Sequence, residues 1–418
     1  MRYEWSPFTS KYEGGISMNA VGIDVSKGKS TVAIMRPFGE IVSSPFEISH
    51  TEKDLKQLVS QIKKLNGESK VIMEYTGKYY QPIANYLYQE GILVSVVNAI
   101  LVHDYSNSSI RKVKTDRKDA IKIANYGLDR WLDLPEYMPE EELRQIIKVY
   151  NRQFSQYTKL KVVLANNLIA LTDQTFPGVD RLFGKTPRQD GHQKWFDFIK
   201  DFWHKDCILS SSQKAFDSKY KKWCQKNGYH YQSYKVPEIY ELAAAAVSSL
   251  PCNSNTKLII QGTADELISM VDALEKLRQE MNRIASQLPE YPVVLSLHGV
   301  GTTLGPQLIA EIGDVRRFYS RKALIAYAGI DSCPYQSGTI NIKSRGISKR
   351  GSAALRRTLF QVMDCVLRHK QIDDPVFQFL DKKRTEGKHY YVYMIAGCNK
   401  FLRIYYARVR EYLDSLGI

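Results

Sequence analysis

No two of the six cysteines form a CxxC pair; Cys207, Cys224, Cys252, Cys333, Cys365 and Cys398 lie scattered through 418 residues. A structural zinc centre wants closely spaced ligands, and a secreted disulfide scaffold is far denser in cysteine, so the six read as buried or partly buried thiols. Nor does any stretch approach the roughly 18 consecutive apolar residues that a membrane span requires. The N-terminus lacks the apolar run and small-residue cleavage site of a signal peptide, which makes a cytoplasmic location the expectation. Negative charge is also in short supply: 44 Asp and Glu face 59 Lys and Arg, for a net charge of +15. Fixed cations gain by releasing the counterions of a polyanion, so the imbalance tilts toward a nucleic-acid partner. With 44% hydrophobic and 25% charged residues the composition is that of a globular chain, long enough for two to three domains.

Residues 1–17 carry no apolar period and read as a loose arm ending before Met18. Apolar runs at 21–25, 31–35 and 41–48 are separated by turn residues and predict an antiparallel meander. A helical period over 55–65, a strand at 71–74, a helix at 83–88 and a strand at 92–97 complete the element order of an RNase H-like α/β domain. Residues 140–172 predict a long helix. Between 178 and 255 basic and aromatic residues alternate, among them Lys214, Lys219, Tyr220, Lys221, Lys222, Trp223, Tyr229, Tyr231, Tyr234 and Lys235. That alternation fits either base stacking on a basic surface or a folded insertion with a solvated face. Leu267, Met270, Leu274, Leu277, Met281, Ile284 and Leu288 step by three and four. They predict a coiled-coil seam that packs on the helix at 140–172 or on a partner subunit.

Four acids draw attention. Asp24 interrupts the apolar first strand, where an unpaired buried carboxylate would cost several kcal/mol and so calls for neutralisation, most simply by a metal. Glu74 ends a later strand that neighbours the first in an RNase H-like sheet. Asp116 and Asp119 follow Thr115; with Thr115 as a helix cap, their spacing of three puts both on one face. Phosphodiester chemistry by two divalent ions needs carboxylates converging in this way.

The strings GIDVSK (22–27), MEYTG (73–77) and KTDRKDA (114–120) resemble the DEDD, RuvC-like domain of the insertion-sequence transposases of the IS110 family, to which pilin-gene-inverting recombinases are related. The resemblance implies that Asp24, Glu74, Asp116 and Asp119 form a tetrad binding Mg²⁺, with two ions per site. At the other end, an apolar-Gly-apolar-Gly turn at 297–301 predicts a helix-hairpin-helix-like segment able to hold a DNA phosphate; His298 within it is assigned no role. From Ser332 to Gln361 there is no acid, while Lys343, Arg345, Lys349, Arg350, Arg356 and Arg357 supply six cations. They are the expected nucleic-acid contacts, in a stretch whose glycines permit close backbone approach to phosphate. The string GISKRG (346–351) resembles the second domain of the same family, whose nucleophilic serine lies upstream in a Ser-Gly segment. That correspondence points to Ser337, with Ser332 as the fallback and Ser344, Ser348 and Ser352 behind it.

The expected architecture is therefore an arm (1–17), a RuvC-like α/β domain (18–137), a helical and coiled-coil middle (138–288), and a mainly α transposase domain bearing the serine (289–418). The family resemblance further implies a DNA recombinase that cuts and rejoins donor and target DNA through a phosphoserine link. It also implies a structured guide (bridge) RNA encoded beside the gene and a homo-oligomer, dimer to tetramer. Two rivals are a hydrolytic nuclease of junction-resolvase type and a non-catalytic nucleic-acid-binding protein. The second is disfavoured because four converging acids repel nucleic acid without metal.

Overall fold

Strand β1 (Met18–Val25) is built from alternating positions: Val21, Ile23 and Val25 face one hydrophobic cluster, Ala20 another. In this computed structural model, residues 17–75, 77–105, 115–184, 186–332, 335–337, 340–342 and 346–417 are described, those between 335 and 342 by their backbone. All but the last residue of the expected arm lies outside that set, as do Cys333, Lys343, Ser344 and Arg345. The chain divides into two compact units after Glu140.

In the first unit, β2 (Lys29–Arg36), β3 (Glu40–Ser49), β4 (Glu68–Glu74) and β5 (Leu93–Val97) join β1 in a mixed sheet of order β3-β2-β1-β4-β5. Pairing is antiparallel from β3 through β1 and parallel from β1 through β5. All five strands fall where the apolar runs predict them. Helix α1 (Glu52–Lys63), capped by the Thr51 side chain, buries Leu55, Leu58, Val59 and Ile62 with α2 (Tyr80–Gln89) against one face of the sheet. Helices α3 (Ala99–Tyr105) and α4 (Asp116–Asp129) cover the other, through Val102, Ile123 and Ala124.

The second unit is mostly helical. Helix α5 (Glu142–Thr172) leads through α6 (Lys194–Asp201), α7 (Asp206–Leu209), α8 (Gln213–Lys226) and α9 (Lys235–Ala245) to α10 (Ser254–Ala285). Helices α5 and α10 pack on each other, so the long helix supplies the expected partner within the chain. Because Ile147 and Ile284 join one core while Leu168 and Ile260 join another, the pair runs antiparallel. The buried seam of α10 is Ile260, Ala264, Leu267, Val271, Leu274, Met281 and Ile284. Val271 thus takes the place expected for Met270, which is half-buried along with Leu277.

At one end of this pair, many aromatic residues of the 178–255 stretch pack on each other, while Tyr234 is exposed. Helix α8 turns Phe216, Tyr220 and Trp223 inward onto Phe198 and Phe202, while Lys214, Lys219, Lys221 and Lys222 are exposed. The folded insertion with a solvated basic face is the reading that fits these positions. His192 braces this end: its Nδ1 lies 3.0 Å from Asp197 Oδ2 and its Nε2 2.9 Å from Asp272 Oδ1 on α10. The Asp197 hydrogen bond is the main cause that raises the His192 pKa to about 9. A raised folded-state pKa means the charged imidazole stabilises: its contribution is complete below about pH 6.5 and fades as pH climbs through about 9. The melting temperature of the protein should therefore fall between those values, with a shallower slope in His192→Gln.

At the other end, α11 (Tyr291–Leu295), α12 (Leu304–Ile312), α13 (Arg321–Ala328), α14 (Ala353–His369), α15 (Pro375–Thr385) and α16 (Tyr390–Ser415) enclose a second core around Leu308, Val362 and Phe401. A short antiparallel pair of strands not foreseen in this mainly α region, β6 (Tyr335–Ser337) with β7 (Ile340–Ile342), falls between α13 and α14 in the chain. In the turn between α11 and α12, Gly299 has φ +79°, and a Cβ there would lie 2.6 Å from Val366 Cγ2 and 3.1 Å from the Val362 carbonyl oxygen. That glycine serves helix packing onto α14, which is what an ordinary interhelical turn requires. Arg144 on α5 forms a bidentate ion pair with Glu290, both within a few per cent of complete burial. Removing one partner strands a buried charge, so Glu290→Ala is expected to lower unfolding free energy by about 3–5 kcal/mol in denaturant titration.

Candidate active site

The four acids are placed by the close fit of α4 on the sheet. Gly22 has no side chain because there is no room for one: a Cβ would lie 2.2 Å from the Ala120 carbonyl oxygen and 2.4 Å from the Ala124 nitrogen. On β4, Ile72 packs against Gly127 in the same way, at 2.5 Å from a Cβ built there. Side chains two apart on a strand share a face, so Asp24 and Glu74 both project toward α4. Gly22 pairs with Ile72 and Ile23 with Met73 in the parallel register, which puts Asp24 and Glu74 level on adjacent strands, about 4.8 Å between strand axes. Ala20, further back on β1, packs with Ile123 and Ala124. The direction from Ala20 to Asp24 therefore runs toward the first turn of α4, where Asp116 and Asp119 lie.

Thr115 caps that helix as expected, accepting from the Lys118 nitrogen at 3.3 Å. Asp119 is mostly covered and accepts from Lys122 Nζ at 3.0 Å, whereas Asp116 is exposed. Asp24 and Glu74 are half-buried, and each has a polar or electrostatic partner. Asp24 is thus neutralised as the sequence argument requires, though less deeply buried than its apolar strand suggests, because it lies next to the C-terminal end of the central strand. No three of these four acids hold oxygens within 4.8 Å of one another. Like charges repel, so closing that spacing requires positive charge. The donor set is all hard oxygen and fits a hexacoordinate divalent cation. Exposed Lys27, Lys78, Arg117 and Lys118 flank the acids along the chain. The sequence reading passed over them, although each lies within four residues of an acid.

In the second unit, residues 346–352 form a loop held by the backbone. The Ser348 nitrogen donates to Asp331 O at 2.8 Å, Lys349 to Gly329 O at 3.1 Å and Ser352 to Tyr327 O at 2.7 Å. Gly329 (φ +64°) and Gly351 pass each other so closely that a Cβ on Gly351 would be 2.0 Å from the Tyr327 oxygen. At Gly351, close approach is to the protein's own chain rather than to a phosphate. Ser348 Oγ donates to Asp331 Oδ1 at 2.6 Å. Ser352 Oγ donates to Glu311 and caps α14. Both hydroxyls are committed to hydrogen bonds within this unit.

This loop borders an open groove of about 1430 Å³. Lys349, Arg356 and Arg357 line it, joined by Lys322 and Arg403, which sequence reasoning missed because they come from separate helices. Tyr319, Phe360 and Tyr391 supply aromatic faces. Arg356 donates to Ala328 O and Gly351 O, which fixes its guanidinium in the wall. Arg350 is exposed outside the groove. Ser332 and Gly346 both line the groove; β6, of which Ser337 is the last residue, and β7 lie between them in the chain.

Two family models match this chain, one described as Transposase, of the DEDD and IS110 type, over residues 21–177. The other, described as Transposase IS116/IS110/IS902 family, covers residues 291–378. A pilin gene-inverting protein of Moraxella bovis is 24% identical over 342 residues, 82% of this chain and 80% of the relative. An insertion element IS110 protein of 43.6 kDa from Streptomyces coelicolor is 19% identical over 392 residues, 94% of each chain. The transposase for insertion sequence element IS1111A of Coxiella burnetii is 29% identical over 128 residues, 31% of this chain and 34% of the relative.

Proposed function

We propose, on the premise that this chain belongs to the IS110 family of transposases, that it cuts and rejoins DNA through a covalent link to Ser337. The observation that carries the reading is the seating of α4 on Gly22, which brings its first turn toward the face holding Asp24 and Glu74. The strand order and directions of the sheet support an RNase H-like, RuvC-type identity for the first unit. Asp24, Glu74, Asp116 and Asp119 would hold divalent cations, Mg²⁺ by our assignment. Such ions supply charge stabilisation at the scissile phosphate and favour ionisation of an attacking hydroxyl.

The serine step balances without water. Ser337 Oγ forms a bond to phosphorus, the scissile phosphorus–oxygen bond breaks, and the serine proton is lost as the departing strand end gains one. A hydroxyl end from the second DNA then displaces Oγ, returning the proton and restoring the ester. Bond energy is retained, as a recombinase requires and a hydrolase does not. The cycle requires the serine region of one chain to dock on an acid site, its own or that of a second copy in a dimer or tetramer. The basic groove with its aromatic faces suits a duplex read by shape and backbone. A structured guide RNA pairing with donor and target is assigned on the family alone.

Incubating full-length protein with DNA and Mg²⁺, then denaturing, tests the reading. A protein–DNA adduct that requires divalent ion supports it. Efficient cutting with no adduct at any time point favours the hydrolytic nuclease.

A further inference from the structure

We propose that His204, Asp206, Cys207 and Cys252 form a zinc site at the end of the helix pair that carries the aromatic core. Among the described residues, His204, Asp206 and Cys252 are the one group of three or more metal-binding side chains whose ligand atoms all lie within 4.8 Å of one another. The Cys207 thiol interacts with that of Cys252 and, although outside that group of three, would move in as a fourth donor. A tetrahedral zinc with thiolate, imidazole and carboxylate ligands sets neighbouring donors about 3.2–3.8 Å apart, so those three need only a modest closure.

The imidazole is already oriented for this task. His204 is almost fully buried, and its Nε2 donates to Leu250 O at 3.1 Å, which leaves Nδ1 as the acceptor on the Asp206 side. A ligand histidine whose second nitrogen is held by a backbone carbonyl is the usual outer-sphere arrangement. Nδ1 stands 3.3 Å from Asp206 Oδ2 and 3.1 Å from the Asp206 nitrogen. On binding, the lone pair exchanges that backbone N–H for the ion, and the thiols give up their protons. Two sulfur donors, one nitrogen and one oxygen select zinc over Mg²⁺, so the site is chemically separate from the four acids.

Its position gives it a role. The turn at 204–207 and the segment before α10 meet where α5 ends: the Lys205 nitrogen donates to Thr175 O, Lys205 Nζ to Ala246 O, and the Ser249 and Leu250 nitrogens to Gln174 O. Zinc would staple the start of α10, through Cys252, to the turn after α6.

The test uses full-length protein purified anaerobically, with metal content by mass spectrometry and the absorption spectrum after cobalt replacement. One zinc per chain is expected, with a thiolate-to-cobalt charge-transfer band. Both should be lost in Cys252→Ser, an exposed position whose change leaves the core intact, and retained in Asp24→Ala. Absence of zinc and of the sulfur band in the wild type overturns the proposal. So does equal zinc in Cys252→Ser, or a Cys207–Cys252 disulfide in freshly isolated protein.

Discussion

In Ser337→Ala protein no DNA end should stay attached after denaturation, and strand joining should fall by on the order of 10⁴-fold or more, the scale of loss when a covalent nucleophile is removed. Asp24→Ala should match it, because a serine hydroxyl is a poor nucleophile at neutral pH without activation. The informative measurement is the double variant. Groups acting in one step are grossly non-additive, so Ser337→Ala with Asp24→Ala should be no slower than either alone. Two independent losses that multiply would mean that serine and acids serve separate steps. Cutting that survives in Ser337→Ala but not in Asp24→Ala would identify a nuclease that uses the acids alone. Mixing the two single variants adds a second reading: recovered joining means that a serine from one chain completes the acid site of another.

Much of the first unit was legible because its signals are local. Each strand is an apolar run bounded by turn residues, and Thr115 before two aspartates spaced by three is a helix start that depends on nothing distant. The stretch at 214–235 left two readings open because a basic-aromatic alternation along the chain hides a helical period. Phe216, Tyr220 and Trp223 fall on one side of α8 and the lysines on the other. Cysteine burial was read correctly for Cys207, Cys224, Cys365 and Cys398 but not for Cys252, which is exposed just before α10. The basic groove was half legible. Lys349, Arg356 and Arg357 come from one acid-free stretch, but Lys322 and Arg403 join them only once α13 and α16 have packed.

Gly22→Ala should cost about 10²-fold in activity although residue 22 touches no substrate. Its Cβ would stand 2.2 Å from the Ala120 oxygen and 2.4 Å from the Ala124 nitrogen, where ordinary contact begins at 3.4 Å. Both atoms belong to the α4 backbone and cannot rotate away, so the helix must withdraw by more than an ångström. Asp116 and Asp119 move with it, while Asp24 and Glu74 stay with the sheet; misplacement of about 1 Å is enough for a loss of that size. Stability should fall less dramatically, by about 1–3 kcal/mol, as for other overpacked sites. Gly127→Ala is the control. Its Cβ would meet Ile72 Cδ1 and Cγ1 at 2.5–2.6 Å, but these belong to a side chain that can turn aside at the far end of α4. It should therefore lower the melting temperature while leaving most of the activity. Equal losses of activity from the two substitutions would show that the first turn of α4 has no special part in positioning the acids. Near-complete activity in Gly22→Ala would remove the packing argument on which their convergence rests.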